Sequence, residues 1–190
     1  MHKDTKYGIK FIKNRITFEI WSFTYQHIKN MQEALRHLVL LTDFKSEYRI
    51  LKLIGKGNFA KVYKVKRKNT NLILAAKIFN KDKFLCENKG LEGIYNEVRI
   101  LRCLGRHNLI MNFHEIHEST KLFIIITEFI HGKQLLKRIS NQKILEEKKI
   151  KKIMKSLVES LLYIHRKGIM HRDLKPENIM FNSNDDSFTV

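Results

Sequence analysis

His171-Arg172-Asp173-Leu174-Lys175-Pro176-Glu177-Asn178 sets an acid, a base and an amide close together, with proline holding the turn. Asp173 could orient and deprotonate a hydroxyl, and Lys175 could neutralise a transferring phosphoryl group. Asn178 could bind a divalent metal through its amide oxygen. A polar loop with local Asx turns could contain the same residue types. The order, however, matches a catalytic loop at every defining position.

Immediately upstream, residues 146–166 carry apolar side chains at helical spacing, with Ile150, Ile153, Met154, Leu157, Leu161 and Ile164 on the expected buried face. Lys148, Lys149, Lys151, Lys152 and Lys155 take the wet face, and Lys167-Gly168 is a stop signal. A short helix is expected over 133–139. Before Gly132 the pattern is strand-rich: strands at 48–55, 60–67, 72–79, 110–116 and 121–129, with one helix at 92–104 carrying Ile94, Val98, Leu101 and Leu104.

Two further features lie in this strand-rich part. Gly55-Lys56-Gly57-Asn58-Phe59-Ala60 falls between two expected strands, where paired glycines let backbone approach phosphate oxygens. An ordinary hairpin turn would read the same way. A dinucleotide fold needs its glycines between strand and helix, and no Gly-Lys-Ser/Thr follows them, so neither a Rossmann nor a P-loop site is expected. Lys77 sits inside the apolar strand Leu74-Ala75-Ala76-Lys77-Ile78-Phe79, where it must snorkel, pair with an acid or face an anion. Glu97, on the 92–104 helix, is its expected partner.

Taken together, these motifs resemble the eukaryotic protein kinase family over about 48–190, and its serine/threonine branch through Lys175. The local wording is most similar to the calcium/calmodulin-dependent or calcium-dependent group. The resemblance implies an α+β fold: an antiparallel-sheet N-lobe with one long helix (48–127), a hinge (128–132) and the start of a helical C-lobe (133–190). It implies ATP and Mg2+ as cofactors and a protein substrate with a Ser or Thr hydroxyl.

By position, Ile54 and Val62 would bracket the adenine, with Ala75 above the ring and Met180 below it. Gly55, Lys56, Gly57, Asn58, Phe59 and Ala60 would cover the phosphates, and Lys77, paired to Glu97, would hold two of them. Thr127 falls at the gatekeeper position, Glu128 and Ile130 would offer backbone groups to adenine, and Gln134 could reach the ribose. Asp173 would be the catalytic base, Lys175 the phosphate neutraliser and Asn178 a magnesium ligand. Leu101, Phe113 and His171 match the regulatory spine, and Arg172 matches kinases activated by phosphorylation.

After Asn178, Met180-Phe181 and Phe188-Thr189-Val190 are expected to be two strands around a turn containing Asp185 and Asp186. The family's Asp-Phe-Gly would come next. The expectation is therefore a fragment of a longer enzyme, binding nucleotide weakly and inactive alone, or an inactive kinase-like interaction module. The helix at 146–166 is then expected to leave apolar surface uncovered.

Composition adds limits. The 190 residues carry a net charge of +18 and are 43% hydrophobic, which excludes wholesale disorder. The charge alone invites nucleic acid, but the basic stretches at 61–68 and 148–155 fit neither an arginine-rich RNA motif nor a DNA-reading helix, so no nucleic acid partner is expected. Cys86 and Cys103 form no pairing framework, consistent with a reduced, cytoplasmic chain. The apolar run at 122–130 is far shorter than the roughly 20 residues of a membrane span, so the chain is read as not transmembrane and at most peripheral.

Residues 1–47 are read as an N-terminal extension with a strand over 16–28 and a helix over 30–42 capped by Asn30. Ile16 to Leu41 resembles the closing strand and helix of a pleckstrin homology domain. That resemblance implies a contact with phosphoinositide or protein.

Overall fold

The computed structural model describes residues 6–13, 15–57, 60–82, 90–141, 146–182 and 188–189. A hairpin of β1 (Tyr7–Lys13) and β2 (Ile16–Ser22) is followed by α1 (Tyr25–Leu35), β3 (Leu40–Leu41) and the single turn α2 (Phe44–Glu47). Next come β4 (Tyr48–Lys56), β5 (Ala60–Arg67), β6 (Ile73–Asn80), α3 (Gly90–Leu104), β7 (Phe113–Glu118) and β8 (Leu122–Glu128). The remainder holds α4 (Leu135–Asn141), α5 (Glu147–Arg166), a 3-10 turn (Pro176–Asn178), β9 (Met180–Phe181) and β10 (Phe188–Thr189). This is the expected two-lobed α+β kinase-like architecture.

The main sheet has six strands in the order β3-β7-β8-β6-β5-β4. All neighbours are antiparallel except β3, which joins β7 in parallel. The sheet is covered on both faces. Phe123 and Ile125 of β8 pack with Phe79, Ile116 and the α3 residues Ile94 and Val98. Ile124 and Ile126 face the other way, against Phe44, Tyr48, Val65, Leu74 and Ala76. Burial on two faces explains why 122–126 reads as an unbroken apolar run. Each such side chain contributes roughly 1.5–3 kcal/mol by leaving water.

The second lobe begins around Leu135, Ile153, Leu157, Ile179 and Phe181. Its α5 meets the end of α3 through Leu104, Ile110 and Ile164, and the Tyr163 hydroxyl donates to the Leu104 carbonyl. Gly168 takes φ +70° just after α5, the left-handed conformation its stop signal requires.

Three expectations need correction. The strand expected over 16–28 stops at Ser22, whose hydroxyl accepts the Thr24 amide at 3.1 Å and turns the chain. The helix then runs over Tyr25–Leu35 rather than 30–42, so Asn30 lies in its interior, accepting from Gln26 at 2.7 Å. Leu40 and Leu41, both inside the expected helix, are taken instead by strand pairing with Ile116 and His117. On α5 the buried stripe is Ile153, Leu157, Ser160 and Ile164, whereas Ile150 and Met154 are 42% and 50% exposed. The late strand pair, β9 with β10, lies where expected, while Asp185 and Asp186 fall outside the described residues.

Candidate active site

Strand register gathers the first group of candidates. Gly55 pairs with Val62, Val62 with Lys77 and Ala75 with Thr127, so these residues share the sheet face that α3 covers. The chain turns directly from β4 into β5, and the Gly57 amide donates to the Ala60 carbonyl at 2.9 Å. Ile54 is half-exposed beside this turn, and Lys56 opposes Lys61. Asn58 and Phe59 lie outside the described residues.

Lys77 Nζ lies 2.7 Å and 2.9 Å from the two carboxylate oxygens of Glu97. Both side chains remain about a third open, at 39% and 35%. The ammonium also stands 5.0 Å from the Phe79 ring. The lysine in an apolar strand is thus satisfied by an acid while staying reachable by an anion. Leu101 and Phe113 pack against the same α3 cluster, whereas His171 stands outside it, half-buried.

The second group sits on the loop after α5. Arg172 has φ +64°, a left-handed backbone that a side-chain-bearing residue adopts at a cost of about 1–2 kcal/mol. The next residue, Asp173, accepts from Lys175 Nζ at 2.9 Å and Asn178 Nδ2 at 3.0 Å, both through Oδ2. These two bonds hold its carboxyl below the usual range, and the aspartate reciprocally raises Lys175. Oδ1 has no bonding partner among the described residues. Asn178 Nδ2 also donates to the Asp173 carbonyl at 2.8 Å, which leaves its amide oxygen as the outward acceptor.

The hinge joins the two groups. Thr127 is buried at its start, and Ile130 is buried two residues beyond Glu128. Asn112 clamps Glu128: its carbonyl accepts the Glu128 amide at 2.9 Å, and its own amide and side chain donate to Oε1 at 2.8 Å and 3.1 Å. After the hinge, Gln134 bridges Met180, the Leu135 amide donates to Ile179, and the Phe181 amide donates to Lys133. A Cβ on Gly132 would lie 1.9 Å from the Phe181 carbonyl oxygen, so only glycine permits this approach. Among the described residues no hydrogen bond connects the Lys77 pair to the Asp173 group.

No cluster of three or more His, Cys, Asp or Glu among the described residues could hold a metal unaided. Magnesium commonly takes one or two protein ligands and completes its shell with phosphate and water. The outward amide oxygen of Asn178 fits that role, and the glycine turn with Lys77 fits a polyphosphate.

The protein kinase domain family matches residues 48–189. The chain belongs to it. This kinase domain is 37% identical to an Aurora kinase of Yarrowia lipolytica over 149 residues, 76% of this chain and 40% of the relative. Serine/threonine-protein kinase cds1 of Schizosaccharomyces pombe is 30% identical over 183 residues, 95% of this chain and 38% of the relative. A probable serine/threonine-protein kinase of Dictyostelium discoideum, fhkE, is 36% identical over 146 residues, 74% of this chain and 20% of the relative. The chain thus spans well under half the length of each of these proteins. Similarity to cds1 over 95% of the chain extends beyond the kinase domain into the N-terminal segment.

The kinase domain also holds a buried polar group that the sequence reading missed. Glu115 of β7 is 1% exposed and accepts from the Tyr48 hydroxyl at 2.7 Å, Arg36 at 3.0 Å and Arg67 at 3.3 Å. His117 Nε2 lies 2.7 Å from it as well. The available signal was Phe113-His114-Glu115-Ile116-His117-Glu118, a strand with titratable residues on both faces.

Proposed function

We propose that this chain is part of an ATP-dependent serine/threonine protein kinase that transfers the γ-phosphoryl group of ATP to a protein hydroxyl. The observation carrying this reading is the Lys77–Glu97 pair, set by strand register beside the glycine turn. Lys77 holds phosphate oxygens, and Glu97 keeps its ammonium in place. Asp173 accepts the hydroxyl proton through Oδ1 while Lys175 and Asn178 hold Oδ2. Lys175 offsets charge on the group in transit. Magnesium, when bound at Asn178, would neutralise phosphate charge.

The adenine would lie between Ile54, Val62 and Ala75 on one side and Met180 on the other, against Thr127, Glu128 and Ile130, with Gln134 toward the ribose. The serine/threonine assignment draws support from Lys175 and from the names of the relatives. The likeness to the calcium-dependent groups rests on the wording of the catalytic loop. A contact of residues 1–47 with phosphoinositide or protein belongs to the same proposal, and vesicle co-sedimentation tests it.

The decisive experiment is thermal unfolding with ATP, with and without magnesium, followed by labelled-ATP transfer to a basic serine peptide. A magnesium-dependent rise in melting temperature supports the site. No shift at millimolar nucleotide refutes it. Binding without transfer by these 190 residues is expected of a part of the enzyme, and transfer by the longer protein separates that reading from the inactive interaction module. No helix among the described residues is long and apolar enough to cross a membrane.

A further inference from the structure

A cavity of about 590 Å³ lies away from the glycine turn, between the N-terminal helix and the back of the lobe. Its walls include Arg36 and Leu38 just after α1, Arg67 of β5, Leu101 and Arg102 of α3, and Arg106 and Phe113 beyond it. Glu33 and Glu115 also line it, but both are already engaged with Arg36 and Arg67, at 2.9–3.5 Å.

Arg102 and Arg106 have no carboxylate partner among the described residues. Arg102 Nη2 reaches only the Val39 carbonyl, at 3.4 Å, and its guanidinium stands 5.8 Å from the Phe113 ring. Its Nε is buried with no hydrogen-bond partner. Burial pushes this guanidinium below its ordinary value, the mark of a charge short of a counterion. Nε itself is closed to solvent, so an anion in the cavity would act on this guanidinium as the counter-charge it lacks.

We propose that this cavity is a binding site for a phosphate monoester, free or carried on a phosphorylated side chain. Two uncompensated guanidinium groups match the charge of roughly −1.5 to −2 on a phosphoryl group at neutral pH. Arginine's planar fork suits phosphate oxygens better than a point charge would. Leu38, Leu101 and Phe113 supply apolar wall for the carbon portion of the ester. The volume falls within the range of about 300–1,000 Å³ typical of small-ligand sites. Because α3 forms one wall and also carries Glu97, occupancy would bear on that carboxylate as well.

The test is titration calorimetry of this chain with phenyl phosphate, inorganic phosphate and a phosphothreonine peptide, repeated on Arg102→Gln and Arg106→Gln. Arg106 is exposed, so its variant keeps the fold even where Arg102→Gln does not. The expected result is saturable phenyl phosphate binding that weakens at least tenfold in Arg106→Gln and is unchanged in Lys133→Ala, the loss of an exposed cation elsewhere. A phosphopeptide binding tenfold tighter than phosphate assigns the natural source to a modified side chain. Phosphopeptide binding no tighter than phenyl phosphate assigns it to a free monoester, and inorganic phosphate binding as tightly as either would overturn the proposal. No binding at 10-fold excess over millimolar protein, binding indifferent to both arginine variants, or binding only to phosphoinositide vesicles would overturn the proposal.

Discussion

Arg36 Nη1 of the N-terminal helix lies 3.0 Å from Glu115 Oε2, a buried carboxylate in the sheet of the kinase N-lobe. The same nitrogen meets Glu47 at 2.6 Å, and Arg36 Nε meets Glu33 at 2.9 Å. The helix before the family match is therefore held against the lobe by charge as well as by the β3–β7 pairing.

Replacing Arg36 by Met leaves Glu115 with Arg67, Tyr48 and His117, so the carboxylate keeps partners but loses its link to α1. Stability should fall by about 1–3 kcal/mol. Urea unfolding gives the magnitude. Amide exchange should quicken over 25–41 far more than over 113–128; a uniform change would contradict the link.

Burial alone would raise the Glu115 carboxyl, but hydrogen bonds from His117 and Tyr48 and the charge of Arg36 outweigh it, taking the group down to about 2. Its ordinary value is 4.5. The folded value is thus lower than the unfolded one. The associated stability, on the order of 3 kcal/mol, is present above pH 4.5 and lost as pH falls toward 2. Glu115→Gln should be less stable than the parent at pH 7, with the gap narrowing between pH 4.5 and 2 in urea midpoints.

Gly132→Ala places a methyl carbon 1.9 Å from the Phe181 carbonyl oxygen, which is backbone and cannot swing aside. A loss of about 1–3 kcal/mol or more is expected, read as a lower melting temperature. Lys133→Ala, one residue on and exposed, is the control and should change little.

Lys77→Met and Asp173→Asn should fail in different ways. The first removes the partner of Glu97 and should erase the magnesium-ATP thermal shift. The second keeps the bonding shape of the loop while removing its base. Nucleotide stabilisation should survive, while transfer, in the kinase that shows it, falls by about 10²–10⁴. Equal loss of binding in both variants would contradict the division of labour.

The candidate site was legible because its signals are local. The spacing of His171 to Asn178, the glycines between strands and Lys77 in an apolar run each carry chemistry within a few residues. The main strands and α3 were readable for the same reason, since burial imposes a period on the chain. The N-terminal helix was misplaced because Met31, Leu35, Leu38 and Leu41 keep helical spacing past its true end, while pairing with β7 takes Leu40 and Leu41 into a strand.

Residue order alone determined the spacing of acid, base and amide over His171–Asn178, the strand–turn–strand of the glycines and the expectation that Lys77 needs an acid. Tertiary structure decided which groups pay for their burial together. Arg36 and Glu115 are 79 residues apart and meet only when β3 joins the sheet. Gly132 is required only because β9 returns to the hinge. Such pairings depend on through-space distance and desolvation, and no local period along the chain records either.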